Sequence, residues 1–323
     1  MRHRFLPENT NINFVGARYY AFAIDGLLVL LSIVSIAMQG FNLGIDFTGG
    51  VLLEVKAPHV IDIGHVRAQV GGLGFGESEL QYFGGGECEK PANSCLLIRV
   101  QPKAGQSGQD AATEIRAKLG RGFTYRRAEV VGPKVSHELF QAGVWATILA
   151  VIAIAAWVAV RFEWQYGVGA IVATGHDVFV TAGLFSVFHM EFSLTSVAAL
   201  LTLAGYSIND TVVVFDRIRE NRRKYKRMAL GDLINLSTNQ MLVRTILTSA
   251  ATAVSIVPLL LFGGPTLFDF TAAILFGILV GTFSSTYVAA ALLLYLPALG
   301  GGGAGGAREE PATPARSASE RVQ

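Results

Sequence analysis

The sequence predicts a polytopic α-helical membrane protein, six transmembrane helices with one soluble α+β domain inserted between the first and the second. Three observations predict it. Of 323 residues 51% are hydrophobic and only 15% charged, with a mean hydropathy of +0.45, a balance too apolar for a soluble domain of this length. Six stretches reach the roughly 20 apolar residues needed to cross the ~30 Å hydrocarbon layer. Between the first two lies a segment of ordinary charge, glycine and proline content.

Residues 1–19 precede the first span, which covers 20–38. That run is long and no small-residue cleavage site follows it, so it reads as a retained span rather than a signal peptide. The soluble domain occupies 39–137. In it, 51–56 alternates as a strand, 61–73 places Ile63, Val66 and Val70 at helical spacing, and 79–83 and 95–101 are short strands. Helical spacing returns over 109–119, and 124–131 is a final strand. The order βαββαβ is that of the ferredoxin-like split unit, one four-stranded sheet covered by two helices. Cys88 and Cys95 flank the turn between the central strands, either as a hairpin disulfide in an oxidising compartment or as two free thiols. Region 138–297 holds the other five spans, at 139–160, 166–188, 192–215, 243–262 and 270–296, with a polar loop at 216–242. The tail, 298–323, is rich in Gly, Ala, Ser, Pro and Arg and is expected to be disordered.

Orientation follows from lysine and arginine beside the spans. Arg2, Arg4 and Arg18 precede the first span, Arg161 links the second to the third, and the basic run from Asp216 to Arg227 follows the fourth. The links 189–191 and 263–269 carry neither residue. Both termini are therefore expected to be cytoplasmic, with the soluble domain on the opposite side. The basic run is a solvated face against anionic lipid headgroups, and a net charge of +2 gives no argument for nucleic acid. There is no phosphate-binding Gly-rich loop, HExxH pair, Ser-His-Asp arrangement or Cys-His metal cluster. An ion gradient is the expected energy source, with no cofactor, no metal and no covalent catalysis.

An ionisable side chain inside a span costs about 2.5–3.5 kcal/mol. Four such residues occur: Asp25, Asp177, Asp210 and Arg244. Asp210 lies roughly 9 Å inside the boundary marked by the charges that follow it. Arg244 opens the fifth span from the same side, so the two reach comparable depth on antiparallel helices, where they can pair either as a structural contact or as a proton-responsive one. Polar residues recur at helical spacing around them: Thr195, Thr202, Tyr206 and Asn209 in the fourth span, Thr245, Thr248, Thr252 and Ser255 in the fifth, and Thr174, Asp177 and Thr181 in the third, beside His176. Each stripe alone is compatible with plain interhelical hydrogen bonding. Asp177 is either a relay towards Asp210 or a helix contact. Asp25, six residues into its span, is expected to reach interfacial water and to have no special role.

Gly44-Ile-Asp-Phe-Thr-Gly-Gly50, Val131-Gly-Pro-Lys-Val-Ser136, Gly175-His-Asp-Val178, the run from Gly205 to Asn221, and Arg244-Thr-Ile-Leu-Thr248 resemble the SecF members of the SecD/SecF family of bacterial protein export, within the resistance-nodulation-division superfamily. The resemblance covers nearly the whole chain except the tail. It implies a bacterial inner-membrane protein with a periplasmic ferredoxin-like domain, paired with SecD. It further implies proton-driven help to the SecYEG channel after the ATPase SecA has pushed in an unfolded preprotein, which is met on the periplasmic side. The family's proton-pathway pair falls on Asp210 and Arg244, with Asp177 in the Gly-His-Asp motif and Asn209 and Thr248 beside them. Asp25 and the Cys88/Cys95 loop inherit no role. Half of a small-molecule exporter of the same superfamily, or a passive scaffold of the translocase, are the competing readings.

Overall fold

In the computed structural model the described residues are 10–76, 78–83, 88 and 91–296; the expected tail and the first nine residues lie outside them. Among the described residues six helices are long and apolar enough to cross a membrane: α1 (Arg18–Gln39), α5 (Pro133–Arg161), α6 (Trp164–Val187), α7 (Leu194–Lys224), α8 (Leu230–Phe262) and the sixth span over Leu267–Leu292. That last span joins α9 (Pro265–Phe283) through a π-helical segment (Ser284–Ala289) to the short α10 (Ala290–Leu292). The chain is a polytopic helical membrane protein.

The first of these helices is built inside out relative to a helix of a soluble bundle. In α1 the buried residues are Ala21, Asp25, Ser32 and Ser35, whereas Leu27, Leu30, Leu31, Val34 and Met38 are exposed. Lipid offers apolar side chains as good a home as the interior does, so close helix contacts go to small and polar residues. Ser35 bonds Ser186 at 2.8 Å, and a Cβ on Gly183 would meet the Ser32 hydroxyl at 2.1 Å.

The soluble domain follows α1. A short strand β1 (Asn42–Leu43) and one turn of helix α2 (Ile45–Thr48) lead to β2 (Gly50–Lys56), α3 (Ile63–Gly71), β3 (Ser78–Tyr82), β4 (Cys95–Val100), α4 (Gly108–Leu119) and β5 (Thr124–Val131). The sheet order is β3-β4-β2-β5, all antiparallel. Val51, Leu53 and Val55 of β2 and Leu96, Ile98 and Val100 of β4 alternate onto one face, where they share a core with Val66 and Val70 of α3 and Ala111 and Ile115 of α4. Asp62 and Ser107 cap the two helices through their side chains. Gly49 and Gly50, at φ +73° and +126°, make the turn into β2; a Cβ on Gly50 would lie 2.7 Å from the Val100 carbonyl oxygen, so no other residue fits there.

Cys88 and Cys95 form a disulfide, with their Cα atoms 5.5 Å apart. Closing so short a loop in the unfolded chain is worth about 2 kcal/mol. A thiol reductant is therefore expected to lower the stability of the domain by about that much, read as faster amide exchange in β3 and β4 with the helices unaffected.

Three features tie the domain to the bundle. β1 pairs in parallel with β6 (Glu191–Phe192), which lies between α6 and α7, and the Asp46 carboxylate accepts from the Leu194 amide at the start of α7, at 2.9 Å. On the sheet face opposite the core, Arg99 donates to Glu79 at 2.9 Å and to Asn42 at 3.2 Å, and pairs with Glu191 at 2.7 Å. Burial raises the pKa of Glu191, Arg99 opposes that rise, and Asp269 and Asp46 add to it.

At the other end, the expected polar loop 216–242 is mostly helix. α7 runs to Lys224 and α8 begins at Leu230. Asn221 donates to Ser237 at 2.9 Å and to Gln240 at 2.8 Å, and Arg217 donates to Gln240 at 2.7 Å; these cross-helix bonds carry both helices past the apolar stretch.

Candidate functional site

Asp210 sits on α7 where that helix meets α8 and the π-helical segment. Thr245 of α8, fully buried, donates to Oδ1 at 2.7 Å, and Ser285, also fully buried, donates to Oδ2. The antiparallel register of α7 and α8 continues with the Tyr206 hydroxyl on Ser249 at 3.0 Å, and Ser249 in turn bonds Thr282 at 2.7 Å. The extra residue of a π turn, a device common at functional sites, brings Ser285 to the carboxylate. Both partners of Asp210 are hydroxyls, which can donate or accept. The acid can therefore gain or lose a proton while its neighbours stay in place and only hydroxyl hydrogens rotate.

The direct pair expected between Asp210 and Arg244 is not formed. Arg244 precedes Thr245 by one residue, about 100° around the helix, so Thr245 faces the acid and Arg244 is exposed. Asn209 is likewise exposed, and Thr248 turns its hydroxyl to the backbone carbonyls of Arg244 and Thr245, at 3.0 and 2.9 Å. With Asp210 against Thr245 and Tyr206 against Ser249, the helical rotation sets Thr202 and Asn209 of α7 and Arg244, Thr248 and Ser255 of α8 on one side of the pair. A polar, exposed face at membrane depth is costly against lipid and suits a protein neighbour. Thr195, at the start of α7, bonds Ser193 and stands apart.

Replacing Thr245 by valine removes one of the two donors at little change in shape. The expected cost is about 1–3 kcal/mol, measurable as a lower melting temperature of the purified protein, while Thr248→Val changes it by less than about 0.5 kcal/mol.

Asp177 is fully buried, accepting from Ser207 of α7 at 2.5 Å and bonding His176 Nδ1 at 3.0 Å through its other oxygen. Ser207 and Asp210 are one turn apart on α7. Gly281 of α9 lies beside Asp177 and Ser207, and Ser285 follows about one turn later. The two carboxylates thus flank one stretch of the sixth span.

Asp25 departs from expectation. It is 5% exposed and turned towards α6, with Oδ1 3.8 Å from His176 Nε2. The reason is register: α1 and α6 run parallel, so that Asp25, Ser32 and Ser35 meet His176, Gly183 and Ser186 in turn. The two trios share the same spacing in sequence, a signal that comparing the two spans reveals. Ser285 and Ser207 carry no such mark, being serines among many. Among the described residues no group of three His, Cys, Asp or Glu is placed to hold a metal ion.

Residues 111–298 match the family model described as protein export membrane protein SecD/SecF, C-terminal, and residues 34–57 match the SecD/SecF GG motif. The sequence is 40% identical over 305 residues to the protein translocase subunit SecF of Cereibacter sphaeroides, covering 93% of this chain and 94% of that one. It is 39% identical over 286 residues to the Pseudomonas aeruginosa protein of the same name, covering 88% and 91%. Among solved structures it superimposes on SecDF, a translocon-associated membrane protein of Thermus thermophilus, with a TM-score of 0.81 at 35% identity. A super-membrane-facing form of SecDF gives 0.66 at 36%. In both cases 91% of this chain is covered, and it spans 40% of the SecDF chain.

Proposed function

This chain belongs to the SecD/SecF family of protein export membrane proteins, and we propose that it is the SecF-type subunit of a SecDF-like complex that spends a proton gradient to draw preproteins out of the SecYEG channel after the SecA step. It does so as a transport subunit, without covalent catalysis. The observation that carries this reading is Asp210, an acid at membrane depth whose two hydroxyl partners serve both of its protonation states.

The polar side of α7 and α8, with Asn209, Arg244 and Thr248, is where a SecD-type half docks. Arg244 then reaches a carboxylate or a proton path across that interface. The lysine and arginine at the α7–α8 end support a reading with both termini in the cytoplasm of a bacterial inner membrane. The disulfide-bonded domain, ferredoxin-like in its strand order, faces the oxidising periplasm, where it contacts the emerging chain.

The test is reconstitution with the SecD-type partner, the channel and SecA in vesicles. Adding this chain is expected to raise secretion only when a proton gradient is imposed. Equal secretion with and without the gradient refutes the motor, and a protein in which Asp210 and Arg244 can be neutralised together without loss is a scaffold.

A further inference from the structure

The Asp210 site leaves one group of buried ionisable side chains unused. His176 lies between two carboxyls, Asp177 on its own helix and Asp25 on α1, with Nδ1 3.0 Å from the first and Nε2 3.8 Å from the second. Among the described residues neither Asp25 oxygen finds a hydrogen-bond partner, nor does His176 Nε2, and all three atoms are buried. Polar atoms at membrane depth normally find partners, and a buried carboxyl without any is costly whether ionised or neutral. Leucine or alanine would fill the position at no such cost.

We propose that Asp25 and His176 form a second proton-binding site that passes protons across the α1–α6 contact to Asp177, whose partner Ser207 lies one turn from Asp210 on α7; this rests on the proton-driven reading above. The step needs the Asp25 carboxyl to approach Nε2 by about 1 Å, to ordinary hydrogen-bond distance. The O–H bond of Asp25 then breaks as Nε2–H forms, giving an imidazolium held between two carboxylates. Next the Nδ1–H bond breaks and an O–H forms on Asp177. The ring is left neutral with its proton on the opposite nitrogen, and resets by tautomer exchange once Asp177 hands its proton on. Ser207, bonded to the other oxygen of Asp177, offers a hydroxyl on α7 that can turn to accept once Asp177 is protonated.

The groups facing this site are few. Asp25 faces it from α1, Asp177 from α6, and from α7 Ser207 with Asp210 one turn away. The acidic and basic residues of α5 and α9 sit at the ends of those helices. The Ser32 contact with Gly183 and the Ser35 bond to Ser186 hold α1 and α6 in the register that keeps Asp25 opposite His176.

The experiment is proton uptake into liposomes bearing the full chain with its SecD-type partner under an imposed gradient, read with a trapped pH dye. Asp25→Asn and His176→Gln are each expected to lower the flux at least about tenfold, with the complex still assembled; a smaller fall overturns the relay. Asp210→Asn runs alongside to separate the two readings. If it conducts at the unaltered rate, the proton-driven function itself has failed; if it is silent while Asp25→Asn conducts normally, only the relay has. Asp25→Glu keeps a carboxyl in place and decides the matter even where Asp25→Asn does not assemble. The relay expects conduction with the midpoint of its pH profile moved up by about 0.4 unit, and an unmoved profile shows a structural contact.

Discussion

Asp210→Asn is expected to abolish the response of secretion to a proton gradient while the protein folds and assembles normally. Asparagine has the shape of the acid. Its amide oxygen still accepts from Thr245, and its amide nitrogen donates to Ser285, whose oxygen can turn to receive it. The hydrogen-bond count is kept, so stability should change by no more than about 1 kcal/mol. What is lost is titration, since an amide neither binds nor releases a proton near neutral pH. The measurement is secretion yield in inverted vesicles with the gradient intact and then collapsed. A yield that still drops on collapse in the variant removes Asp210 from the proton path.

Arg99→Ala should loosen the outer domain from the helices without unfolding either. The guanidinium serves Glu79, Asn42 and Glu191 at once, and each charge-assisted bond contributes about 1.5–3 kcal/mol. Its loss leaves Glu191 with Asp46 and Asp269 nearby and only the weaker influence of Arg127 to oppose them. Because the folded-state pKa of Glu191 is raised, its contribution to stability is fully present below its unfolded value and is lost as pH rises through the folded one. Without Arg99 that rise is larger. The defect should therefore be greatest near neutral pH and shrink on acidification, as Glu191 takes up a proton. Amide exchange in β1 and β6 as a function of pH reads this directly; a defect independent of pH would mean that Arg99 acts only through Glu79 and Asn42.

The sheet was legible because β2 and β4 are short apolar runs broken by few charges, Glu54 and Arg99 among them, between clear turn signals, and Val66 and Val70, expected on one helical face, enter the core. The helices were legible in number, since apolar length suffices to count them. Their faces were not. Which residue of Arg244-Thr245 meets Asp210 depends on a rotation of about 100° that only the neighbouring helices set. A run as charged as Asp216 to Lys224 resembles a solvated loop until Asn221 and Gln240 are seen to bond across it. Strands of two residues, such as β1 and β6, have no period to detect. The burial of Asp25 was not legible because distance from a helix end says nothing of which way the side chain turns.

The pairing of β1 with β6 has a mechanical consequence. A domain joined to the helices only where the chain leaves α1 and enters α5 could still swivel about those two links, and a tug on it would be lost. Here the strap after α1 is stitched to the corner between α6 and α7, and Asp46 clasps the first turn of α7. A load on the sheet is thus shared between two anchorages, and torque, not merely tension, reaches the helix that carries Asp210.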